Sequence, residues 1–464
     1  MRIDWNDVLP AERCSYVLGN PPFIGHQNRS DEQIQDMTHV WGTDGRFGRL
    51  DFVTCWHNIA LHYMIKNKSI RTALVSTNSI CQGEQVEILW GWMLARGATI
   101  HFAHRTFQWT NEARGNAAVH CVIVGFSLEP AVRCTIFDYG EDLRGEPHVL
   151  PATRINPYLV DAPDVVLPSR AQPRPGLPQL LKGSQPTDGG HLLLSVAEKE
   201  QLVSQDPRAA VWLRRFMGGD ELINGIERWC LWLKGISPTT LRSLPEVRRR
   251  VEAVASFRLG SATKSVRDLA AMPSVFTQDR QPKEDYLALS RHSSENRRYL
   301  PIAFLGKDIV AGDALVICPG ASLFHFGVMN STMHNAWVRY TCGRLKSDIR
   351  YEASIYNNFP WPESSTAAQK QKIEAAAQGV LDARAAHAGV SLADLYDPLT
   401  MPPNLVKAHQ ALDAAVDAAY GKKGFRNDAE RVAFLFELYQ KYTSLLPATV
   451  AGKKTRRRVG RAPD

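Results

Sequence analysis

"SYVLGNPPFIG", residues 15–25, decides how the first third of this chain is read. "SYVLG" (15–19) is a short apolar run that reads as a buried strand, and the two prolines after Asn20 end it. Open parallel sheets take their ligands at the carboxyl ends of their strands. A strand stopping at a stiff Asn-Pro-Pro-Phe loop is therefore a candidate site, provided the residues that follow supply such a sheet.

Their pattern predicts that they do. "LDFVTCWHNIALHYMIK" (50–66) reads as a helix, "RTALVSTNSI" (71–80) as the next strand, and "QVEILWGWMLARG" (85–97) as a helix closed by Gly97. "TIHFAHRTFQW" (99–109) and "AAVHCVIVGFSL" (117–128) complete the set as strands. Alternating strands and helices imply an α/β, doubly wound, largely parallel sheet. The last two strands follow each other without room for a helix, which predicts one antiparallel member.

The loop itself suggests a chemistry. An exocyclic amine on a nucleic-acid base is a poor nucleophile because its lone pair is delocalised into the ring. Two acceptors aimed at its two N–H groups favour pyramidalisation and stabilise the charge that develops during attack. The Asn20 side-chain oxygen and the Pro21 carbonyl are such a pair. Pro21 and Pro22 stiffen the turn and remove competing N–H donors. Phe23 offers a face on which an extruded base can stack. The alternative is a rigid Pro-Pro turn with a packed Phe. A second stretch, "TFQWTNEARGNAAVHCVIVGF" (106–126), places Phe107 and Trp109 before a polar loop that can wall a base pocket. Core aromatics on a strand fit these two residues equally well. Asp51 reads either as an orienting group for the loop or as a helix N-cap.

The bulk properties bound the rest. With 464 residues the chain has room for two or three domains, and its 44% hydrophobic and 22% charged residues are ordinary for a soluble globular protein. No apolar run is long enough to span a membrane and "MRIDWNDVLPAERC" lacks a signal-peptide core, so the expected location is cytoplasmic. The net charge of +8 suits a polyanionic partner. Eight cysteines stand singly with no C-x-x-C pair, which predicts buried free thiols and no metal site.

After residue 150 the texture changes. "PSRAQPRPGLPQLLKGSQPTDGG" (168–190) breaks any long helix, and aromatic-rich strands with Arg-bearing helices follow. The predicted layout is 1–150 for the sheet domain, 151–362 for an α+β region, 363–448 for a helical domain, and 449–464 for a basic, disordered tail.

Several long strings agree with one family. "LGNPPFIGHQ", "LDFVTCWHNIA", "LVSTNSICQGEQV" and "FQWTNEARGNAAVHCVIVGF" resemble the MmeI-like adenine-N6 DNA methyltransferases, best known as single-chain type IIL restriction–modification enzymes. "RRFMGGDELINGIERWCLWL" (214–233) and "HFGVMNSTMHNAWVRYTCGRLKSDIRYEASIYNNFPWPE" (325–363) resemble the family's target-recognition domain, and "LYDPLTMPPNLVKAHQALDAAVDAAYG" (395–421) its C-terminal helical domain. The resemblance implies a class I methyltransferase sheet, S-adenosylmethionine as donor, and double-stranded DNA as partner. It implies N6-methyladenine as product, catalytic roles for Asn20, Pro21, Pro22 and Phe23, and a target base flipped from the duplex.

Within 151–362 the candidate DNA contacts fall in three groups. Arg258, Lys264 and Arg267 suit phosphates. Arg291, Ser293, Glu295, Asn296 and Arg298 can reach base edges, and Arg344, Lys346 and Arg350 add a third cluster.

The sequence departs from the family at its front. Only nineteen residues precede Asn20, whereas family members carry an endonuclease domain, a helical connector and the first half of the methyltransferase domain. That half holds the glycine-rich turn for the cofactor and the acidic residue for its ribose. The expectation is an incomplete cofactor site with no identifiable cofactor-binding residues, an exposed sheet edge and no DNA cleavage. Three alternatives stay open: one half of a split enzyme completed by a separate polypeptide, an inactive truncated fragment, or a sequence-specific DNA-binding module without methyl transfer.

Overall fold

A computed structural model of the chain describes residues 3–109, 119–345 and 347–444. The alternating pattern of the first third becomes one six-stranded sheet. Its members are β1 (Tyr16–Gly19), β2 (Arg71–Thr77), β3 (Thr99–Trp109), β4 (Val119–Ser127), β5 (Cys134–Asp138) and β6 (His148–Ala152). Their spatial order is β1-β2-β4-β3-β5-β6. β1 and β2 run parallel with Gly19 opposite Leu74, and β3 and β5 are also parallel. β4 is antiparallel to both its neighbours, the arrangement its short connection to β3 demands. β6 is a second antiparallel member, absent from the sequence reading because it is short, mostly exposed and carries Pro151.

One face of this sheet is covered. Helix Thr54–Lys66 buries Cys55, Ala60, Leu61 and Met64, and the Thr72 hydroxyl of β2 lies 3.0 Å from the Met64 sulfur. The helix starts at Thr54 rather than residue 50, and its N-cap, Val53, makes no side-chain bond. Asp51 is therefore not its cap. A further helix, Asp31–Trp41, is held at its start by a reciprocal Ser30/Gln33 capping box. Gly97, at φ +85°, closes the helical stretch beginning at Gly83, whose middle, Val86–Trp90, is a π-helical turn.

The other face is open near β1. That strand is an edge, not the buried strand its apolar run suggests: Tyr16 is 64% exposed and Leu18 73%. Side chains alternate across a strand, so both point the same way. Their register places them beside Arg71 and Ala73, with Val75, Ile123 and Phe102 continuing the half-covered apolar face across β2, β4 and β3. Phe102 lies over Gly125, where any side chain would collide with its ring.

Beyond the sheet, the strands Leu193–Leu194, Leu213–Met217, Arg228–Leu231 and Val310–Ala311 form one four-stranded sheet. Leu181–Lys182, Tyr286–Ser290, Ile302–Leu305 and Leu315–Pro319 form another. The first encloses a core of its own, including Leu194, Phe216, Val247 and Val254. Three helices, Ala367–Ala385, Pro403–Ala419 and Asp428–Ser444, close the described chain. They share one core with the six-stranded sheet and are pinned to the preceding region by buried polar bonds, Tyr299 Oη to Asp413 (2.7 Å) and Arg384 to the Ile302 carbonyl (2.6 Å). All eight cysteines are buried free thiols, and burial pushes Cys55 and Cys230 up to about 12. The basic tail lies outside the described residues.

Candidate active site and DNA-facing cleft

β1 delivers the Asn-Pro-Pro-Phe loop at its carboxyl end. Asn20 is exposed, and its side chain has no hydrogen-bond partner among the described residues. Pro21 is buried, whereas Phe23 is half-buried against the main core. The far side of the loop is tied down. The Phe52 N–H donates to the Ile24 carbonyl (2.9 Å), Asn28 N–H donates to Gly25 (2.9 Å), and Arg29 reaches the carbonyls of His26 (3.2 Å) and Gly48. A free amide on a restrained loop is the arrangement a preorganised acceptor needs.

Asp51 lies beside this loop, 7% exposed. Its Oδ2 accepts hydrogen bonds from Ser79 Oγ and from Thr77 Oγ1 (3.3 Å), at the end of β2. Next to them, buried Asn78 points its amide at Thr106 Oγ1 (3.5 Å). Parallel pairing of β1 and β2 is what brings Asn20 and Asn78 to the same end of the sheet.

The two aromatic candidates divide. Phe107 is 9% exposed and packed among His104, Trp109 and Tyr139, with the Tyr139 ring 5.3 Å away. It belongs to the core and presents little surface to a base. Trp109 is 39% exposed at the end of β3, and the loop that follows it lies outside the described residues.

The proposed DNA contacts divide as well. Arg258 is fully buried, against the expectation of a phosphate contact. Its guanidinium donates to five carbonyls, those of Pro186, Thr187, Leu269, Met272 and Val275, at 2.8–3.2 Å. No N–H remains for DNA; the residue staples loop 186–187 to the end of its helix, and a sequence window cannot show that enclosure. Ser293 is also buried, at 3% exposure, so it does not present its hydroxyl to a base edge. Lys264 is exposed and paired with Asp268, and Arg267 turns back to the carbonyls of Ser261 and Ala262.

The other two groups come together. Strand His292–Ser293 pairs with Asp348–Arg350, which pairs in turn with Arg344–Leu345. This small sheet gathers Arg291, Glu295, Asn296 and Arg298 beside Arg344 and Arg350; Lys346 lies outside the described residues. Arg344 is bonded to Glu295 (2.9 Å), and Arg350 to Glu352 (3.2 Å). Arg298 lies 5.4 Å from the Tyr299 ring centroid. Burial, then the positive charges of Arg291 and Arg350, hold His292 below the usual imidazole range.

The sheet faces the catalytic domain across a cleft of about 440 Å³, lined by His26, Gln27, Arg49, Gln82, Arg344 and Arg350 among others. Arg49 and Gln82 were not singled out in the sequence; no motif surrounds them, and only the fold places them there. Among the described residues no group of His, Cys, Asp and Glu is placed to hold a metal ion, and no helix is long and apolar enough to cross a membrane.

Family models match the chain in three consecutive blocks. Residues 1–138 match the DNA-methyltransferase domain of MmeI, 161–363 its target recognition domain, and 365–447 its C-terminal domain. DNA methyltransferase A of Bacillus subtilis (strain 168) is 36% identical over 448 residues, covering 96% of this chain and 50% of the relative. The solved structure of the type IIL restriction–modification enzyme MmeI in complex with DNA shows 47% identity and a TM-score of 0.87, covering 96% of this chain and 59% of that one. The chain thus spans a little over half the length of the relatives it matches.

Proposed function

This chain belongs to the MmeI family, and from that premise we propose that it is the catalytic and target-recognising portion of a site-specific adenine-N6 DNA methyltransferase of the restriction–modification type. The observation that carries the proposal is the end of β1, where the Asn20 amide stands exposed and without a protein partner among the described residues, on a loop whose far side is anchored.

The residues divide the work as follows. The Asn20 side-chain oxygen and the Pro21 carbonyl accept the two N–H groups of the adenine amine, while Phe23 stacks on the flipped base. Trp109 stands at the opposite rim. S-adenosylmethionine supplies the electrophilic methyl group. The amine's proton leaves after transfer, so no base with a displaced pKa is required. Arg291, Asn296, Arg298 and Arg350 contact double-stranded DNA, a role that the sequence also gives Lys346, and domain boundaries fall near residues 150 and 362.

The described residues contribute the acceptor side of this site. They include no glycine-rich turn leading into a strand beside β1 and no acidic ribose partner next to it. We infer that the open face around Tyr16, Leu18 and Val75 is covered by the first half of a methyltransferase sheet, which also holds part of the cofactor. Parallel sheets are buried on both faces, and β1 is a parallel edge with apolar side chains in solvent.

Calorimetric titration of S-adenosylmethionine into the chain, with unmethylated genomic DNA present, tests this reading. Saturable binding with transfer to DNA by the chain alone would make the covering half dispensable. Binding and transfer only after that half is added would support the proposal in full. Specific DNA binding with no transfer under either condition would leave a DNA-recognition module.

A further inference from the structure

Three segments of the site converge on Asp51 and its neighbour Phe52, and we propose that Asp51 is the positioning residue of the Asn-Pro-Pro-Phe loop, an inference that rests on the methyltransferase reading above. Its Oδ2 accepts from the Ser79 hydroxyl, while Thr77 Oγ1 lies 2.7 Å from Ser79 Oγ and 3.3 Å from the same carboxylate oxygen, at the carboxyl end of β2. Its backbone N–H donates to Gln85 Oε1 (3.1 Å), and the next residue, Phe52, donates to Ile24 within the loop (2.9 Å). A Cβ built on Gly25 would lie 3.9 Å from Asp51 Oδ1, so the carboxylate stands next to the loop.

This carboxylate has no other task. The following helix takes only the Asp51 carbonyl, bonded to the N–H (3.0 Å) and hydroxyl (2.7 Å) of Thr54. Asp51 thus links the end of β2 to the loop after β1, fixing where Asn20 and Pro21 point without touching the base. Acceptors that must meet two N–H groups at once tolerate little misplacement, and an error of about 1 Å in such a group costs on the order of a hundredfold in rate. An asparagine keeps an oxygen for the two hydroxyls. An alanine leaves Ser79 without its acceptor, although Thr77 can still bond Ser79, and releases the loop.

The test uses the full chain with Asp51→Ala and Asp51→Asn. By hydrogen exchange, Asp51→Ala is expected to speed exchange over residues 20–28 and 50–53 by about tenfold while β3, β4 and the C-terminal helices keep wild-type protection. Asp51→Asn stays near wild type. In tritiated methyl transfer to unmethylated genomic DNA, with the covering half present, Asp51→Ala lowers kcat by about a hundredfold and leaves KM for DNA within about twofold. Asp51→Asn restores most of kcat. Wild-type exchange in the loop of Asp51→Ala, loosening of the whole sheet, or a change in KM without one in kcat would each overturn the positioning role. A wild-type protein that transfers no methyl group overturns the methyltransferase reading instead, and the exchange measurement then still decides whether Asp51 holds the loop.

Discussion

Gly83 and Gly343 meet backbone to backbone: a Cβ on Gly83 would stand 3.0 Å from the Cα of Gly343. Gly83 starts the helical stretch after β2, and Gly343 precedes the hairpin of Arg344–Leu345 and Asp348–Arg350, so this contact lies in the wall of the cleft between the two. The two glycines are not equivalent. Gly83 has φ +56°, which a side chain strains, and backbone atoms as its obstacle. A Cβ on Gly343 would meet Gly83 at an ordinary 3.8 Å. Gly83→Ala is expected to cost about 1–3 kcal/mol. Gly343→Ala should stay within about 0.5 kcal/mol. Thermal melting decides it, and equal losses would contradict the asymmetry.

Arg258 and Arg350 should separate stability from DNA binding. Arg258→Met strips five partly buried carbonyls of their donor and should cost about 3 kcal/mol. At a temperature where it stays folded, its DNA affinity should depend on salt as wild type does. Arg350→Ala breaks a partly exposed pair with Glu352, worth about 1 kcal/mol at most. It should nevertheless weaken DNA binding and lower the salt slope by about one phosphate contact. Fluorescence anisotropy at several salt concentrations, beside melting curves, gives both numbers; a reduced slope for Arg258→Met would sink the staple assignment.

These two arginines also show what the sequence could and could not reveal. Periodicity located β2, β3 and β4 to within a few residues and marked 363–448 as helical, because each such element buries one face and repeats accordingly. The missing helix before β4 foretold its antiparallel pairing. The edge status of β1 was not legible from "SYVLG", since an apolar run looks alike whether or not a neighbour covers it. Nor was the fate of Arg258, which depends on carbonyls more than 70 positions earlier in the chain. Charge, small neighbours and a helix end suggested phosphate; enclosure by distant backbone decided otherwise. Strand pairing does join His292–Ser293 to Asp348–Arg350, a neighbourhood that sequence spacing alone does not show.

Acid should destabilise the chain through its enclosed histidines. Burial lowers His57 to about 4, and His334 and His409 to about 3, from an ordinary 6.5. For each, the unfolded chain binds the proton more readily. Stability from the neutral ring is complete above about pH 6.5 and is lost as pH falls towards the folded values, by up to roughly 1.4 kcal/mol per pH unit per histidine. Asp413 and Asp417, raised by burial, act in the opposite sense from their ordinary 3.8 upward and blunt the effect. The melting temperature should be flat from pH 8 to 7 and fall progressively below about pH 6. His334→Phe, if it folds, should shallow that fall; an unchanged slope would remove His334 from the account.

The decisive substitution is at Asn20. Its side chain is exposed and bonded to nothing among the described residues, so removing it takes away no folding interaction. Asn20→Ala should therefore melt within about 1 °C of wild type, as surface changes away from special features do. DNA affinity and its salt dependence should also persist, because the substitution removes none of the arginines proposed to contact DNA. Methyl transfer measured with the covering half present should fall by roughly a hundred- to a thousandfold, the cost of one acceptor aimed at developing charge. Asn20→Asp is the sharper case. It keeps an acceptor of the same reach but adds a charge facing the cationic centre that forms on transfer, so it should retain more activity than alanine. A destabilised Asn20→Ala would mean that the amide supports the loop rather than the reaction. Full activity in a stable Asn20→Ala chain would remove the acceptor mechanism and, with it, the main reason for placing catalysis at the end of β1.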